Sequence, residues 1–417
     1  MNMNNEIIVA LDIGSCKICC MIARNKADDI CKVVGIGYNE SRGINSGIIT
    51  DFFLASKSIS NSIKSAEKQS GIKIKNGISV SISSSKTETN LFKSKVKIKD
   101  KKVTKVDISE CLSQLLKRDF FSHKKVIYAS PISFSLDQAS GIKNPLGMYG
   151  NEIEIDFIIS YIGYSHYRNY IECINLCGLD VNKIIVSSTA AGYAVLNENE
   201  LILGAAVVDM GSKTTSLAIF SDNNFIFSKV LNYGGNNITE ALARRFGITM
   251  EEAEKLKVMH SSLLESNDDQ EVFLEIPSIN SDNSDDYIQI TRREVLEVIK
   301  PITTNLLGWV QDELNKSGHS NSIGKVMVFT GGAAQIDGLL VLAKDIIGYN
   351  LRIGIPKELR FDFFYNIDSS HAVVAGLLNQ EIYFNEREEK NYLKNKNLSD
   401  HKLSFSNIKS WLAENFF

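Results

Sequence analysis

The sequence contains little of what marks extracellular, fibrous or membrane-spanning proteins. Five prolines in 417 residues exclude proline-rich and collagen-like chains. No apolar run approaches the roughly 20 residues that a transmembrane helix needs. The seven cysteines are odd in number and irregularly spaced, which argues against a secreted disulfide framework and favours a reducing cytoplasm. The formal net charge of −3 provides no bulk attraction to nucleic acid, so we expect no nucleic-acid partner.

Sequence motifs for a protein-held metal cluster are equally scarce. The six histidines are scattered and form no H-E-x-x-H motif. Cys16 and Cys19 form a C-x-x-C, but no second pair completes a zinc site. We therefore interpret these two thiols as buried and structural.

The same local pattern begins both halves of the chain, which at this length should hold two or three domains. In the first half, an aliphatic strand at 6–11 is followed by Asp12-Ile13-Gly14-Ser15 and a second strand. In the second half, an aliphatic strand at 205–208 is followed by Asp209-Met210-Gly211-Ser212 and another strand. The pattern predicts an α/β fold with an internal repeat.

Each Asp-x-Gly-Ser turn has the chemistry of a phosphate-binding hairpin. Glycine lets the backbone N–H groups approach a phosphate closely, and a carboxylate at the strand end can hold Mg²⁺ through water. Two such turns could hold a polyphosphate from both sides of a cleft, whereas ordinary hairpins are the alternative. Thr330-Gly331-Gly332-Ala333, after a strand at 326–329, would approach the rest of the nucleotide, and a helix should follow from about Gln335. The 211–214 turn is no P-loop, because Ser212 and not glycine precedes Lys213.

Two further segments have a distinct character. Between 86 and 161 the pattern predicts an inserted small α+β domain of order β-α-β-β, with Asp107 as the N-cap of its helix. Its lysine-rich stretch at 86–125 is either a solvated face or a docking surface for an acidic partner. Farther along, Thr291 should cap a long helix to about Lys316 that is split or kinked at Pro301.

The C-terminal segment is predicted to be an amphipathic helix at 405–417, after a polar linker at 385–404. Its polar positions include Lys409 and Glu414, so the helix has little net charge. Such a helix can lie in a membrane interface, mainly by burying apolar area, and docking onto the protein's own core is the alternative. The predicted membrane-facing residues are Phe405, Ile408, Trp411, Leu412 and Phe416.

Together these features resemble the actin, sugar-kinase and DnaK superfamily of ATPases, and within it the family of the bacterial cell-division protein FtsA. The stretches Ser41–Gly47, Gly141–Gly147 and Thr330–Gln335 carry the resemblance, together with the amphipathic tail. It covers essentially the whole chain. It implies an actin-like ATPase fold in which two lobes surround a nucleotide cleft.

The resemblance also implies how the chain is divided. The expected divisions are 1–84 and 163–200 for the core of the first lobe, 85–162 for the inserted domain, 201–232 and 311–364 for the core of the second lobe, 233–310 for its outer part, 365–384 for the return to the first lobe, 385–404 for the linker and 405–417 for the membrane-targeting helix.

The same resemblance assigns the residues that would bind ATP and Mg²⁺. Asp12 and Asp209 would hold Mg²⁺ through water. Glu254 and Lys257, three apart on a predicted helix, would face the ribose, although a surface ion pair is the alternative. The full set is Asp12, Gly14, Ser15 and Lys17 in the first lobe, Asp209, Gly211, Ser212, Lys213, Thr214, Thr215, Gly234, Gly235, Asn236, Glu254 and Lys257 in the second lobe, and Gly331, Gly332 and Ala333 beside the adenosine.

The function implied is an ATP-binding adaptor that polymerises, tethers FtsZ filaments to the cytoplasmic face of the inner membrane at the division site, and recruits later division proteins through its insert. The C-terminal peptide of FtsZ would bind at Arg292, Arg293, Glu297 and Lys300. Chaperone-type relatives have a water-positioning glutamate just before a Thr-Ala-Ala like that at 189–191, but this chain has Ser187 and Ser188 there. We therefore expect slow or absent hydrolysis.

Three rival functions are weighed against this one. A sugar or acetate kinase of the same superfamily would need a carboxylate that activates the acceptor. A chaperone-type ATPase would need a substrate domain, for which no length remains after 384. A MreB-like filament is disfavoured by the insert.

Overall fold

The secondary structure alternates between strands and helices along most of the chain. The computed structural model describes residues 6–26, 29–75, 77–266, 272–277, 287–357 and 359–380. The strands are β1 (Glu6–Ile13), β2 (Lys17–Lys26), β3 (Asp29–Glu40), β4 (Ile44–Asn45), β5 (Ile48–Ile49), β6 (Ile78–Ile82), β7 (Glu88–Lys97), β8 (Lys124–Leu136), β9 (Ala139–Ile142), β10 (Glu152–Gly163), β11 (Val181–Val186), β12 (Ala205–Met210), β13 (Thr215–Ser221), β14 (Asn224–Leu231), β15 (Phe273–Pro277), β16 (Tyr287–Thr291), β17 (Val326–Thr330), β18 (Asn350–Ile353) and β19 (Arg360–Phe361). The helices are α1 (Phe52–Ser70), α2 (Lys105–Leu116), α3 (Tyr164–Asn175), α4 (Ser187–Val195), α5 (Glu198–Leu203), α6 (Gly235–Phe246), α7 (Met250–His260), α8 (Arg292–Lys316), α9 (Leu339–Ile347) and α10 at 372–380.

Two mixed sheets form the cores of two lobes. The first lobe has the order β11-β6-β1-β2-β3-β19, and the second has β14-β13-β12-β17-β18. In the first lobe β1 pairs antiparallel with β2 and parallel with β6. In the second lobe β12 pairs antiparallel with β13 and parallel with β17. The predicted α/β fold and its internal repeat are therefore confirmed.

The central strands are buried on both faces, which explains their unbroken aliphatic runs. Ala205 to Val208 of β12 are all 0% exposed. Helices α4 and α10 pack into one hydrophobic core to which both sheets contribute. A Cβ atom added to Gly376 of α10 would lie 1.8 Å from the carbonyl oxygen of Ala190 in α4, so the two helices cross where only glycine fits.

The inserted α+β domain has its own four-stranded sheet, in the order β7-β10-β8-β9, and its own core. The short strand β9 was not predicted from the sequence. Thr104, not Asp107, is the N-cap of α2. Asp107 occupies the N3 position and completes the capping box. Lys95 lies 3.4 Å from Glu152 across the sheet, so part of the lysine-rich stretch is paired within the insert.

Other boundaries differ from the sequence expectations in informative ways. Thr291 does cap α8, but the helix is continuous through Pro301, so the predicted split is wrong. The helix expected from Gln335 begins at Leu339, after a 3₁₀ turn. β19 pairs with β3, so the chain rejoins the first sheet before the expected boundary at 365.

The predicted linker and membrane-targeting helix, 385–417, lie outside the described residues. Among the residues that the structure does describe, no helix combines the length and the apolar character needed to cross a membrane.

The crossing of α4 and α10 generates a stability prediction. Gly376→Ala should lower the free energy of unfolding by about 3 kcal/mol, the upper end for overpacking, because the new methyl group would meet a backbone oxygen. Gly308→Ala is the matched control, since a Cβ atom at this α8 position meets nothing within 4 Å. It should instead raise the free energy of unfolding by up to ~1 kcal/mol. Urea denaturation of both variants decides; equal effects would contradict the close packing.

Candidate functional site

The two repeated strands place Asp12 and Asp209 close enough to affect each other electrostatically. The Ser81 hydroxyl donates to Oδ1 of Asp12 at 2.6 Å. Burial raises the pKa of Asp12 above its ordinary value. Burial, with a further contribution from the negative charge of Asp12, raises the pKa of Asp209 to about 7. Both carboxyl groups are half-buried, and such a pair, in which the charge of Asp12 disfavours that of Asp209, suits a divalent cation.

The second Asp-x-Gly-Ser turn, taken together with the residues up to 214 and called the second turn below, is held to the start of α6 by backbone hydrogen bonds. The N–H of Gly211 donates to the Thr214 oxygen at 2.9 Å and closes the turn. The N–H of Gly235 then donates to the Gly211 oxygen at 3.0 Å, and that of Asn236 donates to the Ser212 oxygen at 2.7 Å. The predicted residues of this turn and of the α6 start are therefore brought together, namely Gly211, Ser212, Lys213, Thr214, Thr215, Gly234, Gly235 and Asn236.

The third turn packs directly against Asp209. Gly331 has a φ of 89°, and a Cβ atom there would lie 2.5 Å from Oδ1 of Asp209. Only glycine tolerates both this conformation and this approach. A Cβ atom on Gly235 would in turn lie 3.2 Å from that of Ala333. Gly331, Gly332 and Ala333 thus adjoin both the carboxylate and the second turn.

Glu254 and Lys257 of α7 form the ion pair that we considered as an alternative, and they also reach the site. Nζ of Lys257 lies 2.6 Å from Oε2 of Glu254. It also donates to the Thr239 hydroxyl at 2.9 Å and to the Gly235 oxygen at 3.3 Å. Because Gly235 begins α6, the pair lies at the junction of the second and third turns.

The first Asp-x-Gly-Ser turn lies in the first lobe, where the loop after β6 approaches the second turn. The Ser83 hydroxyl lies 3.3 Å from the Thr214 hydroxyl. Lys17 does not reach the second lobe; its Nζ donates to Oγ of Ser370 at 2.8 Å. Gly14 and Ser15 are half-buried at the tip of the turn. Cys16 is exposed and only Cys19 is buried, so the interpretation of both as buried thiols is wrong for Cys16.

The turn at Asp368–His371 belongs to this site and was missed in the sequence. The Gly331 N–H donates to the Ser369 oxygen at 3.1 Å. Nδ1 of His371 lies 2.7 Å from Oδ1 of Asp368, and its Nε2 lies 2.6 Å from the Tyr38 hydroxyl. Burial lowers the pKa of His371, so the ring is neutral at pH 7. A capping Asp directly before an apolar helical run was the available signal.

The predicted partner residues lie on or beside a surface groove along α8. A cavity of about 480 Å³ is lined by Glu265, Arg293, Leu296, Glu297, Lys300, Pro301, Thr304 and Asn305. Arg292 is not among the lining residues. Arg293 lies 3.5 Å from Glu297, and Lys300 lies 2.5 Å from Glu265. Such exposed ion pairs contribute little stability, so an incoming acidic group can replace Glu297 or Glu265 as the partner of the basic side chain at small cost.

The carboxylates fit a cation that brings its own ligands. Among the residues placed in the structure, no group of three or more His, Cys, Asp or Glu side chains could hold a metal ion. Asp12 and Asp209 supply two carboxylates, and Mg²⁺ prefers six oxygen ligands. Water and phosphate oxygens would have to supply the others, as in a magnesium–nucleotide complex.

Comparison with known proteins gives consistent matches. Residues 206–376 match the family profile described as cell division protein FtsA, and 84–161 match that of the SHS2 domain inserted in FtsA. The cell division protein FtsA of Agrobacterium fabrum is 31% identical over 362 residues, covering 84% of this chain and 82% of that protein. That of Borreliella burgdorferi is 29% identical and covers 100% of both chains.

Solved structures show the actin-like fold at low sequence identity. The PilM–PilN type IV pilus biogenesis complex has a TM-score of 0.66 at 16% identity, covering 91% of this chain and 99% of that one. MreB5 of Spiroplasma citri bound to ADP has a TM-score of 0.54 at 15% identity, covering 92% and 98%. These likenesses extend over both lobes.

The raised pKa of Asp209 makes the stability of the protein pH-dependent in the absence of metal and nucleotide. A carboxyl group with a higher pKa when folded binds more protons in the folded state, so the free energy of unfolding should fall as pH rises from about 4 to about 7. Asp209→Asn should remove this loss. At pH 8 the variant should be more stable than wild type by about 1–2 kcal/mol, below the roughly 4 expected without solvent screening.

Urea denaturation in EDTA at pH 5 and pH 8 measures this difference. Asp222→Asn, in an exposed turn, is the control and should leave the pH dependence unchanged. If Asp209→Asn is no more stable than wild type at pH 8, Asp209 does not carry the electrostatic cost described here.

Proposed function

The chain belongs to the FtsA family of cell-division proteins, and from that premise we propose that it binds ATP, polymerises and tethers FtsZ filaments to the cytoplasmic membrane. The observation that carries the nucleotide part is the convergence of three glycine turns on two carboxyl groups. The 2.5 Å approach of a Gly331 Cβ position to Asp209 shows how closely these turns pack.

We assign the roles in nucleotide binding by position. Backbone N–H groups of the first and second turns bind phosphate oxygens, and Lys17 adds positive charge. Asp12 and Asp209 hold Mg²⁺ through water, which would neutralise the charge that burial disfavours. Glu254 and Lys257 face the ribose, and the 331–333 turn contacts the adenosine. The ADP-bound MreB5 neighbour shows that a protein of this fold binds an adenine nucleotide.

We propose that hydrolysis is slow or absent. The first residues of α4 are Ser187, Ser188 and Thr189, all buried. The Ser188 hydroxyl lies 2.8 Å from the Ser228 hydroxyl, so it is engaged in a buried hydrogen bond within the protein. None of the three can accept a proton from water as a carboxylate would. We do not adopt the sugar- or acetate-kinase alternative, because the match includes the inserted SHS2 domain.

Asp209→Ala should weaken the binding of magnesium–ATP at least tenfold, on the order of 1.4 kcal/mol, because it removes one of the two cation-binding carboxylates. Titration with a fluorescent ATP analogue in Mg²⁺ measures the affinity. Asp100→Ala, at an exposed position of the insert, is the control. Equal affinity of Asp209→Ala and wild type would remove Asp209 from the site.

The tether requires two further surfaces, which we propose to be the groove along α8 and the C-terminal segment 405–417. The groove along α8 would take the acidic C-terminal peptide of FtsZ, with Arg293 and Lys300 as the positive groups. The amphipathic segment 405–417 would lie in the membrane interface. Polymerised subunits would bind the membrane by avidity, since one short helix binds marginally. Later division proteins would dock on the insert.

Liposome pelleting in the presence of FtsZ tests the C-terminal segment and the α8 groove in one experiment. Trp411→Glu should abolish pelleting of the chain and of FtsZ, because burying one such side chain contributes roughly 1.5–3 kcal/mol and the new charge opposes insertion. A chain ending at Lys402 should behave the same way. Arg293→Glu should leave the chain on the liposomes but abolish the pelleting of FtsZ, since the new glutamate, Glu265 and Glu297 would then present three acidic side chains to an acidic peptide.

The matched control for the groove is Arg244→Glu. Arg244 lies on α6 and forms a comparable exposed pair with Glu240 at 3.6 Å, outside the groove. The Arg244→Glu variant should still bind liposomes and still bring FtsZ down with them. If Trp411→Glu pellets like wild type, the tail is not the anchor. If added salt releases wild type, the anchor is electrostatic and the lysine-rich insert replaces the tail.

A further inference from the structure

One short turn, Asp368–His371, contacts two of the three nucleotide turns. Ser369 exchanges two hydrogen bonds with Gly331 of the third turn: its oxygen accepts from the Gly331 N–H at 3.1 Å, and its hydroxyl donates to the Gly331 oxygen at 2.9 Å. The next residue, Ser370, accepts at 2.8 Å from Nζ of Lys17, which begins β2 just after the first turn. The turn therefore ties the first lobe's phosphate turn to the second lobe's adenosine turn.

The direction of the hydrogen bond at Ser370 is fixed by Asp368. Oδ1 of Asp368 accepts from the Ser370 hydroxyl at 2.7 Å and from the Ser370 N–H at 2.9 Å. Because the hydroxyl proton is committed to the carboxylate, the oxygen of Ser370 presents its lone pairs to Lys17. Nδ1 of His371 lies 2.7 Å from the same oxygen of Asp368 and helps to hold the carboxylate in place.

Lys17 is held in a defined position by these contacts. Its ammonium group lies 5.2 Å from the centre of the Tyr38 ring in addition to its bond with Ser370. An ammonium group has three donors, so one bond to Ser370 leaves two for an anion. A free lysine side chain loses rotamer entropy when a ligand fixes it, and a side chain that is already fixed loses less.

We propose that Ser370 is a positioning residue for the phosphates of the nucleotide, acting through Lys17, with Asp368 orienting its hydroxyl. The inference rests on the proposed nucleotide-binding function. It adds that the phosphates are recognised by a side chain whose position is set from a segment more than 350 residues away in sequence. Ser370 itself need not touch the nucleotide.

A double-mutant cycle on Lys17 and Ser370 tests this assignment. Ser370→Ala should weaken fluorescent ATP and ADP about three- to tenfold, because Lys17 loses its fixed position. Competition by adenosine, which has no phosphate, should be unchanged. In the Lys17→Met background Ser370→Ala should have no further effect on ATP affinity. Ser370→Thr, which keeps the hydroxyl, should restore affinity to within about twofold of wild type.

Ser109→Ala is the matched control, because its hydroxyl bonds a backbone oxygen of the insert helix at 2.8 Å, away from the cleft. Additive losses from Lys17→Met and Ser370→Ala, or an equal loss of adenosine binding, would overturn the positioning role. So would a fall in melting temperature that accounts for the loss of affinity. A wild-type chain that binds no ATP would overturn the proposed function and this inference together.

Discussion

Two carboxyl groups held at the ends of buried strands are the constraint on which the site depends. The repeat places Asp12 and Asp209 at equivalent positions of β1 and β12. Each of these strands lies between one antiparallel and one parallel neighbour. Burial disfavours the charge of both groups. A protein that keeps such a pair loses stability at neutral pH unless a cation arrives, which links the stability of the fold to its ligand.

The same constraint explains where glycine is required. Gly331 must be glycine because Asp209 occupies the space of a side chain, and Gly234 because the oxygens of Gly211 and Ser212 lie within 2.6 Å of its Cβ position. These contacts join the second turn, the third turn and the start of α6 into one unit. A ligand that moves any one of them therefore acts on the others.

Sequence reasoning succeeded where the chemistry is local. Asp209 and Gly211 follow an aliphatic run, and strand-end carboxylates beside glycine are visible without knowledge of the fold. Thr291 caps α8 through Glu294 three residues later, a signal that is also local. Pro301 does not split α8 as one of the two predicted outcomes required, because tertiary packing of buried residues such as Leu306 and Leu307 keeps the helix continuous despite a lost hydrogen bond.

The place of the 368–371 turn in the site could not be predicted in the same way, although its capping Asp was visible, since that place depends on contacts with distant strands. Ser369 and Ser370 are ordinary loop serines until β17 brings Gly331 to one and β2 brings Lys17 to the other. That turn leads directly into α10, which crosses α4 at Gly376, and α4 connects the two sheets between β11 and β12. The contacts of the first and third nucleotide turns therefore converge on the helix that crosses the connection between the lobes. Because closely packed interiors transmit displacement, a ligand that contacts both turns would act on the crossing of α10 and α4, and through it on the segment that joins the two sheets.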